Sequence, residues 1–251
     1  MDDQADAFAR RASSFGSQAA AYAEYRPDYP VALLEWALAP VRDADDLRVL
    51  DLAAGTGKLT EGLLGQGLDV VAVEPDTAML AQLTSKFPTV TAKSGTAEAI
   101  PLPDASVNAV FAAQALHWFD LTRALPEIDR VLRPGGPLVA VWNTYDDRTP
   151  WVADLCAITD AVKRSDHYPA PDPQLEAFGV VEENLFPHQI TRTVDTLVAT
   201  MATMSYVLVS PPDRKARILA RMRDLLLANP ATATGEFSVP ITTFAMRVTP
   251  S

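Results

Sequence analysis

Cysteine is almost missing from this 251-residue chain. Cys156 stands alone, so no internal disulfide and no thiolate metal cluster can form, as expected of a reducing compartment. Histidine is nearly as scarce, with three copies, and none falls beside Cys, Asp or Glu at metal-ligand spacing, so no metal is expected. Basic residues are outnumbered, 21 against 32 acidic, for a net charge of −11. Such a field repels phosphate backbones and anionic headgroups and argues against nucleic acid and membrane as partners. The most apolar stretch, 194–209, is interrupted by Asp195 and several threonines and falls short of the roughly 20 apolar residues a bilayer span needs. Asp2, Asp3 and Asp6 occupy the place where an export signal carries positive charge, so a cytoplasmic location is expected. No G-x-S-x-G elbow is present, which disfavours a serine hydrolase.

What remains is an ordinary globular composition, 48% hydrophobic and 21% charged. Between Leu47 and Trp142 short β-rich runs alternate with amphipathic segments, the rhythm of an α/β protein with a mostly parallel sheet and crossover helices. Strands are expected at 48–52, 69–73, 90–94, 107–112 and 137–142. Helices are expected at 58–65, at 77–86 behind an Asp76 cap, and at 121–132 behind Asp120. Arg133-Pro-Gly-Gly136 stops the last of these. Beyond Thr144 the alternation fails. A helical pattern at 150–162 is followed by a strand-like run at 184–191, two further helical patterns at 194–206 and 213–227, and a second strand-like run at 237–248. The simplest organisation is one domain with a 45–145 core, cap insertions at 145–183 and 193–236, and two edge strands, 184–192 and 237–248.

The segment Val49 to Thr60 reads as a strand ending in Asp51, a turn containing Gly55 and Gly57, then a helix. Glycines there let a ligand approach the backbone, and the helix N-terminus offers unpaired N–H groups. A Walker A loop would need glycine at 52 and Ser or Thr at 59, where this chain has Leu52 and Leu59, so ATP is excluded and Lys58 reads as a solvated helix residue. A dinucleotide fingerprint would need a third glycine where Thr60 stands, which weakens NAD without excluding it. A nucleoside lacking a pyrophosphate fits best, because an acid at the strand tip suits a zwitterionic amino-acid moiety and repels phosphate.

Asp51-Leu-Ala-Ala-Gly-Thr-Gly57 resembles motif I of the class I S-adenosylmethionine-dependent methyltransferases, in the small-molecule group with a UbiE-like or type 11 methyltransferase domain. The resemblance implies a Rossmann-like doubly wound sheet of seven strands, the last antiparallel, with a helical cap. It also implies S-adenosylmethionine as methyl donor, with S-adenosylhomocysteine as product. Asp51, Ala53, Gly55 and Gly57 would line the donor site, and Glu74, followed by Pro75, would take the ribose diol through charge-assisted hydrogen bonds. Gly95 to Asp104 resembles the adenine segment, with Ala97 and Glu98 as contacts, while Met79 is placed to pack on adenine or in the core. Phe111 to Asp120 resembles the fourth-strand motif, and residues 1–30 an N-terminal lid in which Tyr22 and Arg26, four apart, share one helix face toward the methionine end.

Methyl transfer from a sulfonium is an in-line displacement that mainly requires positioning in a dry pocket. His117, beside Trp118, is a candidate base or substrate orienter. Gln114 and Asn143 are candidate hydrogen-bonding groups, and Trp118 and Trp142 candidate walls. The expected partner is a small-molecule acceptor, and both monomer and homodimer stay open. Two other readings compete: an NAD(P)-linked oxidoreductase, and a non-catalytic protein that binds the donor without turnover.

Overall fold

A computed structural model describes residues 26–158, 172–208 and 210–250. Seven strands form one sheet in the order β3-β2-β1-β4-β5-β7-β6. They are β1 (Arg48–Leu52), β2 (Asp69–Val73), β3 (Thr91–Lys93), β4 (Ala109–Ala113), β5 (Leu138–Tyr145), β6 (Gly179–Arg192) and β7 (Phe237–Pro250). β1 to β5 are parallel, with Leu50 level with Val71 on one side and with Val110 on the other. The chain winds outward from β1 to β3, then returns to place β4 on the opposite side of β1. That reversal is the point at which an open α/β sheet leaves a crevice at its carboxyl ends. Asp146 N–H donates to the Pro240 carbonyl and the Thr144 hydroxyl to that of Thr242, so β7 runs against β5. The expected fold class is the observed one.

The chain divides into two compact units. The first comprises Asp28–Asn143, Pro169–Phe186 and Thr243–Ser251. On one sheet face, α1 (Val31–Leu38) and α2 (Lys58–Gly65) bury Leu33, Leu34, Leu59 and Leu63 against Val49, Phe111, Val139 and Ala245. Next to them, α3 (Thr77–Lys86) buries Leu83 with Ala72 and Val90, and Leu64 of α2 packs against both groups. Asp76 caps α3 by accepting the Ala78 and Met79 N–H groups, and Asp120 caps α4 (Leu121–Val131) through Thr122 N–H. Each fully buried Leu or Phe contributes about 2 kcal/mol. Arg247 of β7 lies 4.4 Å over the Trp36 ring and also donates to Glu182 of β6. Another short helix, α5 (Pro150–Ala157), belongs to the second unit and α6 (Pro173–Phe178) to the first.

The second unit comprises Met1–Pro27, Thr144–Tyr168 and Pro187–Thr242. Its core is set by helical periodicity: Trp151, Val152 and Leu155 of α5; Val194, Leu197, Val198 and Met201 of α7 (Val194–Ala202); and Ile218, Met222 and Leu226 of α9 (Pro212–Ala228). A short α8 (Ser205–Leu208) follows α7 because Thr203 and Met204 N–H groups bond back only three residues, tightening the last turn. Trp151 meets Phe237 edge-on at 5.8 Å. Among the described residues no helix is long and apolar enough to cross a membrane.

Element limits differ from expectation where tertiary pairing decides them. β4 starts at Ala109, because Val107 bridges to Leu132 and Asn108 N–H goes to the Arg48 carbonyl. β6 begins at Gly179, since its polar start Glu182-Glu183-Asn184 reads as loop and becomes strand through its neighbour β7.

Candidate active site

Asp51, one residue before the end of β1, and Glu74, one residue past the end of β2, lie at the tips of adjacent parallel strands, and the turn Ala53 to Gly57 leaves the first of them. Three residues of that turn adopt left-handed backbone: Ala53 (φ 58°), Gly55 (φ 58°) and Gly57 (φ 84°). At Gly57 a Cβ would also lie 2.8 Å from the Phe87 ring, so glycine is required both by conformation and by packing. The Gly55 N–H donates to Glu74 Oε2 at 2.8 Å, and Asp76 N–H donates to Oε1 at 2.8 Å. The Glu74 carboxylate therefore ties the glycine turn to the tip of β2. Burial pushes its ionisation upward, partly offset by those two N–H donors. Two of its lone-pair sites are used, and a carboxylate has about four.

Asp51 is fully buried. Its Oδ2 accepts the Thr60 hydroxyl at 2.6 Å, while its Oδ1 has no hydrogen-bond partner among the described residues. Burial pushes this carboxyl up to about 7, with the Thr60 hydroxyl pulling the other way. A buried oxygen without a partner is costly and marks a place where a donor group is called for.

Met79 is buried, its sulfur 3.8 Å from where a Cβ on Gly55 would stand, so it lies against the glycine turn; Pro75 is exposed. Ala97 is buried within a tight Thr96–Ala99 bridge. Glu98 is engaged differently from the expected adenine contact: its Oε1 accepts the Asp120 N–H at 3.0 Å, at the start of α4. Downstream, Arg130 holds the 100–104 segment, donating to the carbonyls of Ile100 and Leu102 and to Asp104 and Glu127. Glu127 accepts the Ile100 N–H, and its hydrogen bonds with Arg130 hold its carboxyl down to about 2. Arg130→Ala is expected to cost about 2 kcal/mol by unpairing two carbonyls and two carboxylates. Denaturant titration checks this, and a midpoint equal to the parent would refute the clamp. Because Glu127 is depressed, its contribution is present above the ordinary carboxylate range and is lost as pH falls toward about 2.

At the tip of β4, Gln114 takes left-handed backbone (φ 57°) and its side-chain amide donates to the Asn143 carbonyl at 3.2 Å. This turn swings the chain into a short 3-10 segment, Leu116–Trp118, and lays His117 beside the tip of β5. There the Trp142 Nε1–H donates to His117 Nδ1 at 3.3 Å, with the indole stacked on Phe244. Trp118 lies 4.7 Å from the His117 ring. The Asn143 side chain, expected to face substrate, donates to the Asp28 carbonyl and accepts the Thr243 hydroxyl. Lys58 is no solvated helix residue: it is 20% exposed and pairs with Asp28. Arg26 belongs to the second unit, where its guanidinium donates to the Thr203 carbonyl at 3.3 Å. Tyr22 lies outside the described residues.

The roles of Thr60, Asp28 and Arg130 are not legible in the sequence, because each is defined by a partner from another element. Only Thr60 carries a local signal, a hydroxyl one turn into the helix that follows the Asp51 strand.

A family model described as a methyltransferase domain matches residues 50–140. An uncharacterized methyltransferase of Mycobacterium tuberculosis is 44% identical over 239 residues, covering 94% of this chain and 95% of its own length. An uncharacterized methyltransferase-like protein of Schizosaccharomyces pombe is 32% identical over 223 residues, covering 84% and 85%. The solved structure of a candidate type II methyltransferase from Anaeromyxobacter dehalogenans superimposes with a TM-score of 0.67 at 27% identity, covering 90% of this chain and 98% of that one.

Proposed function

We infer, from its place among the class I S-adenosylmethionine-dependent methyltransferases, the family to which this chain belongs, that it methylates a small-molecule acceptor and holds the donor at the tips of β1 and β2. The observation that carries the site assignment is the pair of buried acids flanking the glycine turn. Asp51, with its unpartnered Oδ1, suits the donor's ammonium group. Glu74, its two oxygens already turned to the Gly55 and Asp76 amides, retains acceptor capacity for the ribose diol. A pyrophosphate would instead meet two carboxylates, which disfavours a dinucleotide.

Ala53, Gly55 and Gly57 would let the donor approach the backbone, while Met79 and Ala97 supply apolar surface for its base. Arg130 positions the segment that follows Ala97. When bound, the donor supplies a methyl group already activated by its sulfonium charge, so the chain's task is to orient and desolvate. The net charge of −11 supports a small acceptor over a polynucleotide.

The test is thermal unfolding with S-adenosylmethionine, S-adenosylhomocysteine, NADPH and ATP. The first two are expected to stabilise the fold, by about 2.7 kcal/mol at 100 times the dissociation constant. A shift with NADPH and none with S-adenosylhomocysteine would overturn the reading.

A further inference from the structure

Methyl transfer changes the charge of the acceptor, and the group that meets the nucleophile can favour one chemical class through that change. A neutral amine becomes an ammonium and keeps every hydrogen it carried. An alcohol has to surrender its hydrogen to a base, and a carboxylate has none to offer.

Gln114 stands one residue past β4, beside β1, where the strand order reverses and an open sheet leaves its crevice. Asp51 is level with Phe111, three residues earlier on β4. The left-handed backbone of Gln114, φ 57°, is rare for a residue with a long side chain and is a form of strain that gathers at functional positions. Two bonds to β5 hold it there: its backbone N–H donates to the Val141 carbonyl at 2.8 Å, and its side-chain Nε2 to the Asn143 carbonyl at 3.2 Å. A carbonyl only accepts, so the second bond fixes which way the amide faces, with Nε2 on β5 and Oε1 turned from it. Asn143 is itself anchored, its side chain donating to the Asp28 carbonyl and accepting the Thr243 hydroxyl. Among the described residues nothing donates to Gln114 Oε1. The tip of β4 thus carries a preorganised hydrogen-bond acceptor that is not a base.

We propose that Gln114 Oε1 selects a primary or secondary amine as methyl acceptor by accepting one of its N–H groups. The proposal deepens the methyltransferase reading and rests on it. The amine binds neutral, any extra proton having gone to water. Its nitrogen lone pair forms the new C–N bond as the C–S bond breaks, and sulfur keeps the electron pair. The positive charge passes from sulfonium to nitrogen, leaving a thioether and an ammonium whose N–H stays on Gln114 throughout. That hydrogen bond strengthens as the nitrogen becomes cationic, so it lowers the barrier more than it improves binding. An alcohol fits poorly because an amide oxygen cannot take its proton, and a carboxylate would set oxygen against oxygen. The buried acids Asp51 and Glu74 and the net charge of −11 act in the same direction, favouring a group that becomes positive.

The parent chain tests this first. Release of S-adenosylhomocysteine from S-adenosylmethionine is followed with primary, secondary and tertiary amines of one carbon skeleton, and with the matching alcohol and carboxylic acid. Turnover is expected with the primary and secondary amines and at least about tenfold less with the tertiary one, which has no N–H when neutral, so that methylation stops short of a quaternary ammonium. Turnover confined to the alcohol or the acid, a tertiary amine used as fast as the secondary, or no turnover with any amine overturns the proposal and leaves the methyltransferase assignment standing. Gln114→Met then removes the acceptor oxygen at similar volume. It is expected to lower kcat for the secondary amine by roughly 10- to 100-fold, with KM and S-adenosylhomocysteine affinity within a few-fold of the parent. An equal loss of S-adenosylhomocysteine affinity would put Gln114 on the donor and overturn the proposal. Absence of any stabilisation of the parent by S-adenosylhomocysteine overturns the methyltransferase reading as well.

Discussion

Replacing Glu74 by alanine is expected to weaken S-adenosylhomocysteine binding by on the order of 100-fold, the loss of two charge-assisted hydrogen bonds to the ribose. Calorimetric titration measures it, and an affinity within a few-fold of the parent would remove Glu74 from the donor site. The fold should survive. Truncation strands the Gly55 and Asp76 amides, at about 1–3 kcal/mol each where water cannot reach them. Against this, it removes a carboxylate whose burial is itself unfavourable, as its raised ionisation indicates. The two terms oppose each other, so unfolding should move much less than binding. Glu74→Gln separates them further. Its amide nitrogen must face one of two backbone donors, so it is expected to lose both binding and stability.

Stability of the ligand-free chain is expected to fall as pH rises from about 4 to 7, and Asp51 is the reason. Its folded carboxyl ionises at about 7 and an ordinary aspartate at 3.8, so between these limits the unfolded chain has released a proton that the folded chain still holds. The stabilisation is complete below the lower value and is lost as pH rises through the upper one. Each pH unit of that window is worth about 1.4 kcal/mol. Asp51→Asn has no such proton to lose. Relative to the parent it is expected to gain stability progressively between pH 5 and 8, as read by denaturant unfolding at both values. A constant difference across that range would show that Asp51 does not titrate there. The same buried acid sets donor affinity in the opposite sense. Pairing with an ammonium requires the ionised form, so donor affinity should weaken below pH 7 by up to about tenfold per unit. Asn at 51 should abolish this dependence along with most of the affinity. Stability and binding thus pull Asp51 in different directions, as at other strained functional positions.

These two acids were also the most legible part of the molecule. Asp51 is the fourth residue of β1 and Glu74 follows the last of β2, and in a parallel sheet the carboxyl ends of the strands gather at one edge, so their adjacency follows from the pattern of the chain. The limits of α2 and α3 are likewise local, fixed by Gly57 in left-handed backbone and by the Asp76 cap. What was hidden is long-range. The bond between Trp142 and His117 joins residues 25 apart and depends on the turn at Gln114. The engagement of Lys58 and Asn143 with Asp28 depends on where the segment before α1 is laid. β6 was half-hidden for a similar reason, since its Glu182 becomes strand-compatible by pairing with Arg247, 65 residues later.

The position of β7 between β5 and β6 bears on how the chain acquires its form. Of the seven described strands it leaves the ribosome last, yet β6 has no neighbour in the sheet until it arrives. During synthesis the growing polypeptide must therefore hold β5 as an uncovered border and β6 as a loose ribbon, both open to mispairing with other nascent chains. Completion of the sheet is a late, non-local event, the kind of pairing whose loop-closure entropy must be met before its contacts form.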